Sequence, residues 1–407
     1  MKIQRVIKLK LNLKVEDILS TITAYTNSYN LVCSTGFHNN NFDKIWLHNQ
    51  TYTQSRKILP AQLSISSRDK ASETLKSNKS NYNNRLKQYN SKVKYYTEKN
   101  PKKLKYLKQP KYSCPVSEQC SIRYDARSYN IWFNKNQISL LTINKRIKCN
   151  FTVPKYFEQY LNWNRDSAEL FIKDNEVFIN IVFSKEVQEP EQSKDNVLGI
   201  DLGINKIAVT SNNKFYKSKK LKERIRKYEK LRSDLQKKNT KSSRRHLRKI
   251  KSREQLYRRD VNHCISKEIV NSLKPGSTIV MEDLTHIRET AKTRKEERKN
   301  LNKWSFKQLQ SFIQYKSEGL GIRFELINPK NTSRTCCKCG NIDENSRISQ
   351  GTYKCKSCGI IINADLNASR NIRNKYLSNI IEKDKKVNAF TGQAVNLPIV
   401  SVNNNIN

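Results

Sequence analysis

Two cysteine knuckles, Cys336-x2-Cys339 and Cys355-x2-Cys358, lie fifteen residues apart, and no other feature of the chain narrows its local fold so far. Each knuckle is closed by a glycine, Gly340 or Gly359, which lets the backbone turn under a metal. Two such turns can set four thiolates tetrahedrally around Zn2+. A zinc ribbon is therefore expected over residues 330–360, and its metal is structural, since no histidine or open ligand position accompanies the cysteines. Cys337 is an alternative to Cys336, although a C-x-C pair fits the knuckle less well. The other cysteines (Cys33, Cys114, Cys120, Cys149, Cys264) are scattered and read as small buried residues. No window approaches the roughly 18 apolar residues of a membrane span, and the opening MKIQRVIKLKLNLKVEDIL alternates Lys with Ile and Leu instead of forming a leader. A reducing, cytoplasmic setting follows, in which clustered cysteines mean zinc.

Charge bounds the partners. Lys plus Arg total 79 against 36 Asp plus Glu, a formal +43 over 407 residues. An AT-rich coding bias raises Lys but raises the acids too, so it does not produce a two-to-one excess of base. A polyanion, by default nucleic acid, is the expected partner. The basic residues are concentrated. Lys76 to Lys111 holds twelve Lys or Arg against one acid, interleaved with tyrosines, a pattern that suits phosphate contact with base stacking or else a solvated helical hairpin. Lys214 to Arg259 holds 21 basic residues against four acids. There Leu221, Ile225, Tyr228, Leu231 and Leu235, then Leu247, Ile250, Tyr257 and Val261, fall at helical spacing around a break at KKNTKSS, which predicts a basic helical hairpin.

Periodicity divides the rest. IQRVIKLKL reads as a strand, and the stretch from Val15 onward reads as helices with a break near Phe37 to Asn41. Between Cys114 and Glu186 short alternating runs, from SIRYD to EVFINIVFS, predict a small antiparallel barrel or sandwich. If the first strand pairs with these, the helices are an insertion into the barrel. Gln188 to Asn196 reads as a linker and the segment ending at Asn300 as a second, basic one. The stretch from Arg373 onward shows no evident period and is expected to be a disordered tail.

Three acids stand out. Asp201 follows the apolar Val197, Leu198 and Ile200, Glu282 follows Ile279, Val280 and Met281, and Asp365 opens a helix after the ribbon. Burying a carboxylate is costly unless something compensates it, and metal does so. Three carboxylates from two strands and a helix start suit two Mg2+ about 4 Å apart, one activating water and one stabilising a leaving oxygen. Singly, each has an ordinary explanation in strand-end solvation or, for Asp365, helix capping. Asp283 beside Glu282 leaves open which of the two points inward. Strand, hairpin, strand, helices, strand, helix is the order of an RNase H-like fold.

The segments LGIDLGINKIAVTS, STIVMEDL, RRDVNHCISKEIV, WSFKQLQSFIQYKSEGLGI, NPKNTSRTCCKCG, YKCKSCG and NADLNASRNI closely resemble the TnpB family of transposon-encoded, RNA-guided nucleases and their descendants, the type V CRISPR effectors. The likeness is detailed from about Asn196 to Ile372 and weaker through YTQSRKILPAQL, Tyr52 to Leu63. It implies a multi-domain α/β protein: a wedge β-barrel at 1–14 and 113–190, a helical recognition insertion at 15–112, a RuvC nuclease domain at 197–329 and 361–372, the zinc ribbon between, and the tail at 373–407. It implies Asp201, Glu282 and Asp365 as the catalytic, Mg2+-binding acids, and Cys336, Cys339, Cys355 and Cys358 as zinc ligands. It further implies a guide RNA from the transposon end, a target double-stranded DNA whose flanking motif meets Tyr52 and Lys76, a place on the nucleoid of a prokaryotic cell, and no membrane. The chain departs from the family at Asn331, where an aromatic is frequent, and at Ala364, where a basic residue is frequent. A compact CRISPR effector with the same chemistry and a nuclease-inactive repressor are the alternatives. A resolvase has no use for the ribbon, and a ribosomal ribbon protein has none for Asp201.

Overall fold

The structure, a computed structural model, describes residues 1–188, 195–284 and 306–391. Most of the first predicted linker, the basic linker with Trp304, and the last residues of the predicted tail lie outside them. The chain forms two compact units, Met1–Val187 and Gln188–Asn407.

In the first unit, strand β1 (Lys2–Asn12) buries alternate residues, Ile7, Leu9 and Leu11 among them, as a half-buried strand should. It pairs antiparallel along β7 (Glu176–Glu186), with Val6 opposite Val182, and at its end with β5 (Ile147–Thr152), with Leu11 opposite Phe151. With β2 (Ile122–Tyr124), β3 (Tyr129–Trp132), β4 (Gln137–Leu140) and β6 (Asn164–Lys173), the sheet runs β2-β6-β7-β1-β5-β4-β3. Side chains bridge β3 to β6: Arg165 Nη1 donates to Ile131 O at 3.0 Å and Tyr129 Oη to Asp166 O at 3.3 Å. The sheet thus curls almost into a barrel.

Helices α1 (Val15–His38), α2 (Lys44–Arg56) and α3 (Ala61–Lys99) are threaded between β1 and β2. The break falls where Asn40 takes φ of 46° and Asp43 caps α2, accepting from the backbone N–H of Ile45 and Trp46. Buried Ser28 Oγ lies 2.9 Å from Ser55 Oγ and 2.7 Å from Ser67 Oγ, joining the three helices. Tyr25, Leu63 and Leu75 share one core with Ile7 and Phe183, so the insertion is part of the barrel's own fold. Beyond Leu75, α3 buries nothing. Its exposed half carries the part of the basic segment from Lys76 to Lys99, where Lys79 lies 4.8 Å from the ring of Tyr112, beyond the helix, and Lys99 5.7 Å from that of Tyr95.

The second unit is built on the order β10-β9-β8-β11-β12. Its strands are β8 (Val197–Asp201), β9 (Lys206–Thr210), β10 (Phe215–Lys217), β11 (Thr278–Glu282) and β12 (Arg323–Ile327). Strands β8, β11 and β12 are parallel, while β9 and β10 form an antiparallel extension, an RNase H-like arrangement. The basic hairpin consists of α4 (Lys219–Lys238) and α5 (Lys241–Asn271), turning at left-handed Asn239 with Thr240 as cap. Of its predicted stripe Leu221 and Ile250 are buried, whereas Leu231 is exposed and Glu254 binds both Arg232 and Arg258 between the helices. The end of α5 and helix α6 (Phe306–Gly319) cover one sheet face through Ile265, Ile269, Leu309 and Ile313 on Leu198, Ile200, Ile279 and Met281.

Helix α7 (Ala364–Thr391) covers the other face. Here the expectation of a disordered tail from Arg373 is corrected: Ile372, Tyr376 and Ile380, four residues apart, are buried against Val197, Val280 and Ile327. One narrow apolar stripe in a Lys- and Asn-rich sequence is enough to hold the helix. Its close seating needs Gly199, where a Cβ would lie 2.2 Å from Ser369 O. The ribbon precedes α7 and includes the pair β13 (Thr352–Lys354) and β14 (Ile361–Asn363). Among the described residues no helix is long and apolar enough to cross a membrane.

Candidate active site

Strands β8 and β11 each bury four residues and then present a partly buried acid, Asp201 in one and Glu282 in the other. Met281 pairs with Ile200 in the parallel register, so the next residues, Glu282 and Asp201, stand level at the carboxyl ends of adjacent strands. Ligand sites in open α/β sheets favour this edge. Asp283 is exposed and donates its backbone N–H to Ile327 O, which resolves the ambiguity in favour of Glu282.

The third acid arrives on α7. Asn363 Oδ1 accepts from the backbone N–H of Asp365 (3.2 Å) and Leu366 (3.3 Å). Asn363 is therefore the cap, and Asp365 is free of that ordinary role. The Asp365 carboxylate lies 3.3 Å from Lys206 Nζ and 3.6 Å from Arg347 Nη2. Burial pushes the Asp201 carboxyl well above its usual range, the negative charges of Glu282 and Asp365 add to the shift, and Arg347 opposes it. Glu282 is raised too, chiefly by burial, against the hydroxyl of Thr332 and the charge of Lys375. Two raised carboxylates at one sheet edge, one of them raised in part by its acidic neighbours, are a frequent mark of a functional site. Their all-oxygen donor set suits a hard divalent ion such as Mg2+ or Mn2+.

Sequence patterns alone did not single out the residues that orient these acids. Thr332 donates its hydroxyl to Glu282 Oε1, and Gln310 of α6 donates to Glu282 O at 2.7 Å. One face of α7 grips the loop that leads into the ribbon. Asn371 Nδ2 donates to Thr332 O and Thr335 O, Asn367 Nδ2 to Thr335 O, and Lys375 Nζ to Asn328 O and Lys330 O. The NTS segment was visible as a motif, but its bond to Glu282 has no periodic signature.

The ribbon gathers the four expected cysteines. Among the described residues, only the thiols of Cys336, Cys339, Cys355 and Cys358 bring three or more potential metal-ligand atoms within 4.8 Å of one another. Cys336 Sγ and Cys358 Sγ are 3.6 Å apart, as are Cys339 Sγ and Cys355 Sγ. Tetrahedral Zn–S bonds of about 2.3 Å put sulfurs about 3.8 Å apart, so the donor set fits zinc. Gly340 and Gly359 take φ of 75° and 72° and donate back to Cys336 O and Cys355 O, which is the tight turn their position predicted. Burial pushes the Cys336 thiol up to about 12, while the backbone N–H of Asn341 draws that of Cys339 down to about 7. Cys337 is outside the cluster: its N–H donates to Asn367 Oδ1, and its thiol interacts with Arg370.

Tyr52 and Lys76 are not brought together. The Tyr52 ring lies 4.2 Å from that of His48 on α2, and His48 Nδ1 is 2.9 Å from Arg68 Nη1. Lys76 is exposed on α3. It contributes to lowering the Asp43 carboxyl, behind the N–H of Trp46, which places it near the other end of α2.

Known proteins resemble this chain in sequence and in fold. A family model described as "Cas12f1-like, TNB domain" matches residues 306–372, and one described as "Probable transposase" matches residues 180–303. The CRISPR-associated endodeoxyribonuclease Cas12f1 of Sulfoacidibacillus thermotolerans is 41% identical over 147 residues, 34% of this chain but only 33% of that protein. In fold, the chain is similar to Cas12f1 in a complex with sgRNA and target DNA, with a TM-score of 0.59, 16% identity, and coverage of 88% of this chain and 82% of that one. It is also similar to CasPhi-2 (Cas12j) bound to crRNA, with a TM-score of 0.50, 10% identity, and coverage of 92% and 98%. A TnpB-like protein of Methanocaldococcus jannaschii is 31% identical over 263 residues, 60% of this chain and 92% of that protein. A relative matched at this level along nearly its whole length shows the family: the chain belongs to the TnpB-like proteins.

Proposed function

We propose that the chain is an RNA-guided DNA endonuclease that hydrolyses phosphodiesters at a single site formed by Asp201, Glu282 and Asp365. The observation that supports the reading is that Asp201 and Glu282 close adjacent parallel strands level with each other, while Asp365 at the start of α7 is near enough for its charge to raise the Asp201 carboxyl, within a TnpB-like chain. Two Mg2+ ions are the cofactor the donor set suits, and when bound such ions activate water and stabilise the leaving oxygen. The chain's own part is to hold the acids: Thr332 fixes Glu282, Asn363 fixes the start of α7, and Arg347 supplies positive charge beside Asp365.

A guide RNA from the transposon end is the partner for the basic surfaces, and double-stranded DNA complementary to it is the substrate. Sequence specificity then lives in base pairing, with the protein reading a short flanking motif. Tyr52 and Lys76 are assigned to that motif, and the cell compartment is the cytoplasm, at the nucleoid. A CRISPR-encoded role with the same chemistry is a second reading, favoured by the likeness to Cas12f1. Sequencing the RNA that copurifies with the protein separates a transposon-end guide from a CRISPR guide.

The decisive assay is guided plasmid cleavage beside guided binding. Replacing Asp201, Glu282 or Asp365 by Ala should abolish cutting and spare binding, and the triple variant should be no worse than a single one. Continued cutting by Asp201→Ala, or guided binding without cutting by the wild type in Mg2+ and Mn2+, overturns the nuclease reading in favour of a repressor.

A further inference from the structure

Lys206, the first residue of β9, belongs to no metal-ligand set, yet it is a firmly placed cation beside Asp365. Its neighbour Asn205 is tied on two sides: Ser218 Oγ donates to Asn205 O at 2.6 Å and Lys222 Nζ to Asn205 Oδ1 at 2.5 Å. The Lys206 ammonium lies 4.7 Å from the centre of the Phe215 ring. From there it reaches the start of α7, 2.7 Å from Asn363 Oδ1 and 3.3 Å from Asp365 Oδ2. Its side chain is 24% exposed and that of Asp365 19%, so water screens the pair only in part.

This geometry has a consequence for metal binding. A Mg2+ or Mn2+ ion takes carboxylate oxygens at about 2.1 Å. An ion on Asp365 Oδ2 would therefore crowd the ammonium already beside that oxygen, and like charges at such range repel strongly. The ammonium has somewhere to stay. Its shorter bond is to neutral Asn363 Oδ1, with the Phe215 ring alongside, so it can release Asp365 without losing every partner.

We propose that Lys206 is a resident counter-cation that competes with the divalent metal for Asp365 and so sets a low metal affinity in the free protein. The inference rests on the metal-site reading above. It runs opposite to a simple positioning role, in which removing Lys206 would disorder Asp365 and weaken metal binding.

The test is a Mn2+ titration of the zinc-loaded full-length protein without nucleic acid, followed by the electron paramagnetic resonance signal of free Mn2+. Lys206→Met is expected to lower the Mn2+ Kd about tenfold, and Lys206→Arg to leave it near wild type. Thermal melts confirm folding, and Lys206→Gln, with the same expected tightening, serves if Lys206→Met does not fold. Asp201→Ala runs in parallel. If it binds Mn2+ as wild type does, the metal-site reading fails and this inference with it. If Asp201→Ala loses binding while the neutral Lys206 variants bind no tighter than wild type, the competition alone is overturned.

Discussion

A single methyl group at position 199 tests how far the site depends on the seating of α7. A Cβ on Gly199 would lie 2.2 Å from Ser369 O and 2.8 Å from Arg373 N, where ordinary contact begins near 3.4 Å. The shortfall at Ser369 is about 1.2 Å. Both atoms are backbone, so no rotamer change relieves the clash, and helix and strand must part. Overpacking of this kind costs about 1–3 kcal/mol, and a backbone clash belongs at the upper end. For a unit of about 220 residues, Gln188–Asn407, ~3 kcal/mol corresponds to a melting shift of roughly 6–12 °C. Asp365 lies one helical turn before Ser369, so it moves with the helix. Misplacing a catalytic group by about 1 Å costs on the order of a hundredfold in rate. Gly199→Ala should therefore melt early and cut about a hundredfold more slowly in single-turnover plasmid cleavage, with guided binding retained. A variant that melts within a degree or two of wild type and cuts at the wild-type rate refutes the reasoning.

Asp201→Asn should stabilise the protein while abolishing cutting. Because the folded-state carboxyl is raised above 3.8, folding takes up protons, and stability without added divalent metal falls as pH rises from there through the raised value. Asp201→Asn should thus melt above wild type at pH 7.5 and lose that advantage near pH 4; equal melts at both pH values refute it. Cys355→Ser and Cys358→Ser should remove zinc, measured by plasma mass spectrometry, and lower cleavage, whereas Cys337→Ser should keep the metal; zinc loss in Cys337→Ser would reverse the ligand assignment. Thr332→Val deprives Glu282 of its hydroxyl donor and should raise the Mg2+ concentration for half-maximal cleavage severalfold, with Thr332→Ser restoring it; an unchanged Mg2+ dependence counts against the role given to Thr332.

What the sequence made legible follows from which interactions leave a periodic trace. Ile3, Ile7, Leu9 and Leu11 announce a half-buried strand because every second residue must face the core. The knuckles announce a ribbon because four thiols and two glycines have few other uses at that spacing. Asp201 and Glu282 were visible as acids closing apolar runs. Helix α7 beyond Arg373 was not, because Tyr376 and Ile380 form a stripe one residue wide among Asn, Lys and Arg, and the sheet that receives it is built from residues far earlier in the chain. Lys206, Thr332 and Arg347 were hidden for a related reason. Each acts through polar contacts with residues well removed along the chain, 159, 50 and 18 positions away for Lys206, Thr332 and Arg347, and no local pattern encodes such a contact.

The central place of β1 in its sheet also governs how the chain is born. Its main partner, β7, begins at Glu176 and pairs with it along most of its length. At synthesis rates of about 5–20 residues per second, roughly 10 to 30 s pass between the emergence of the two strands. For the first part of that interval, until β2 begins at Ile122, the apolar face of β1 has the nascent helices α1 to α3 to cover it, and these share its core in the finished unit. The threaded helices thus act as an early shelter for a strand that must wait for its neighbour, and a stall in translation before Glu176 would leave a sticky, half-paired edge exposed to aggregation.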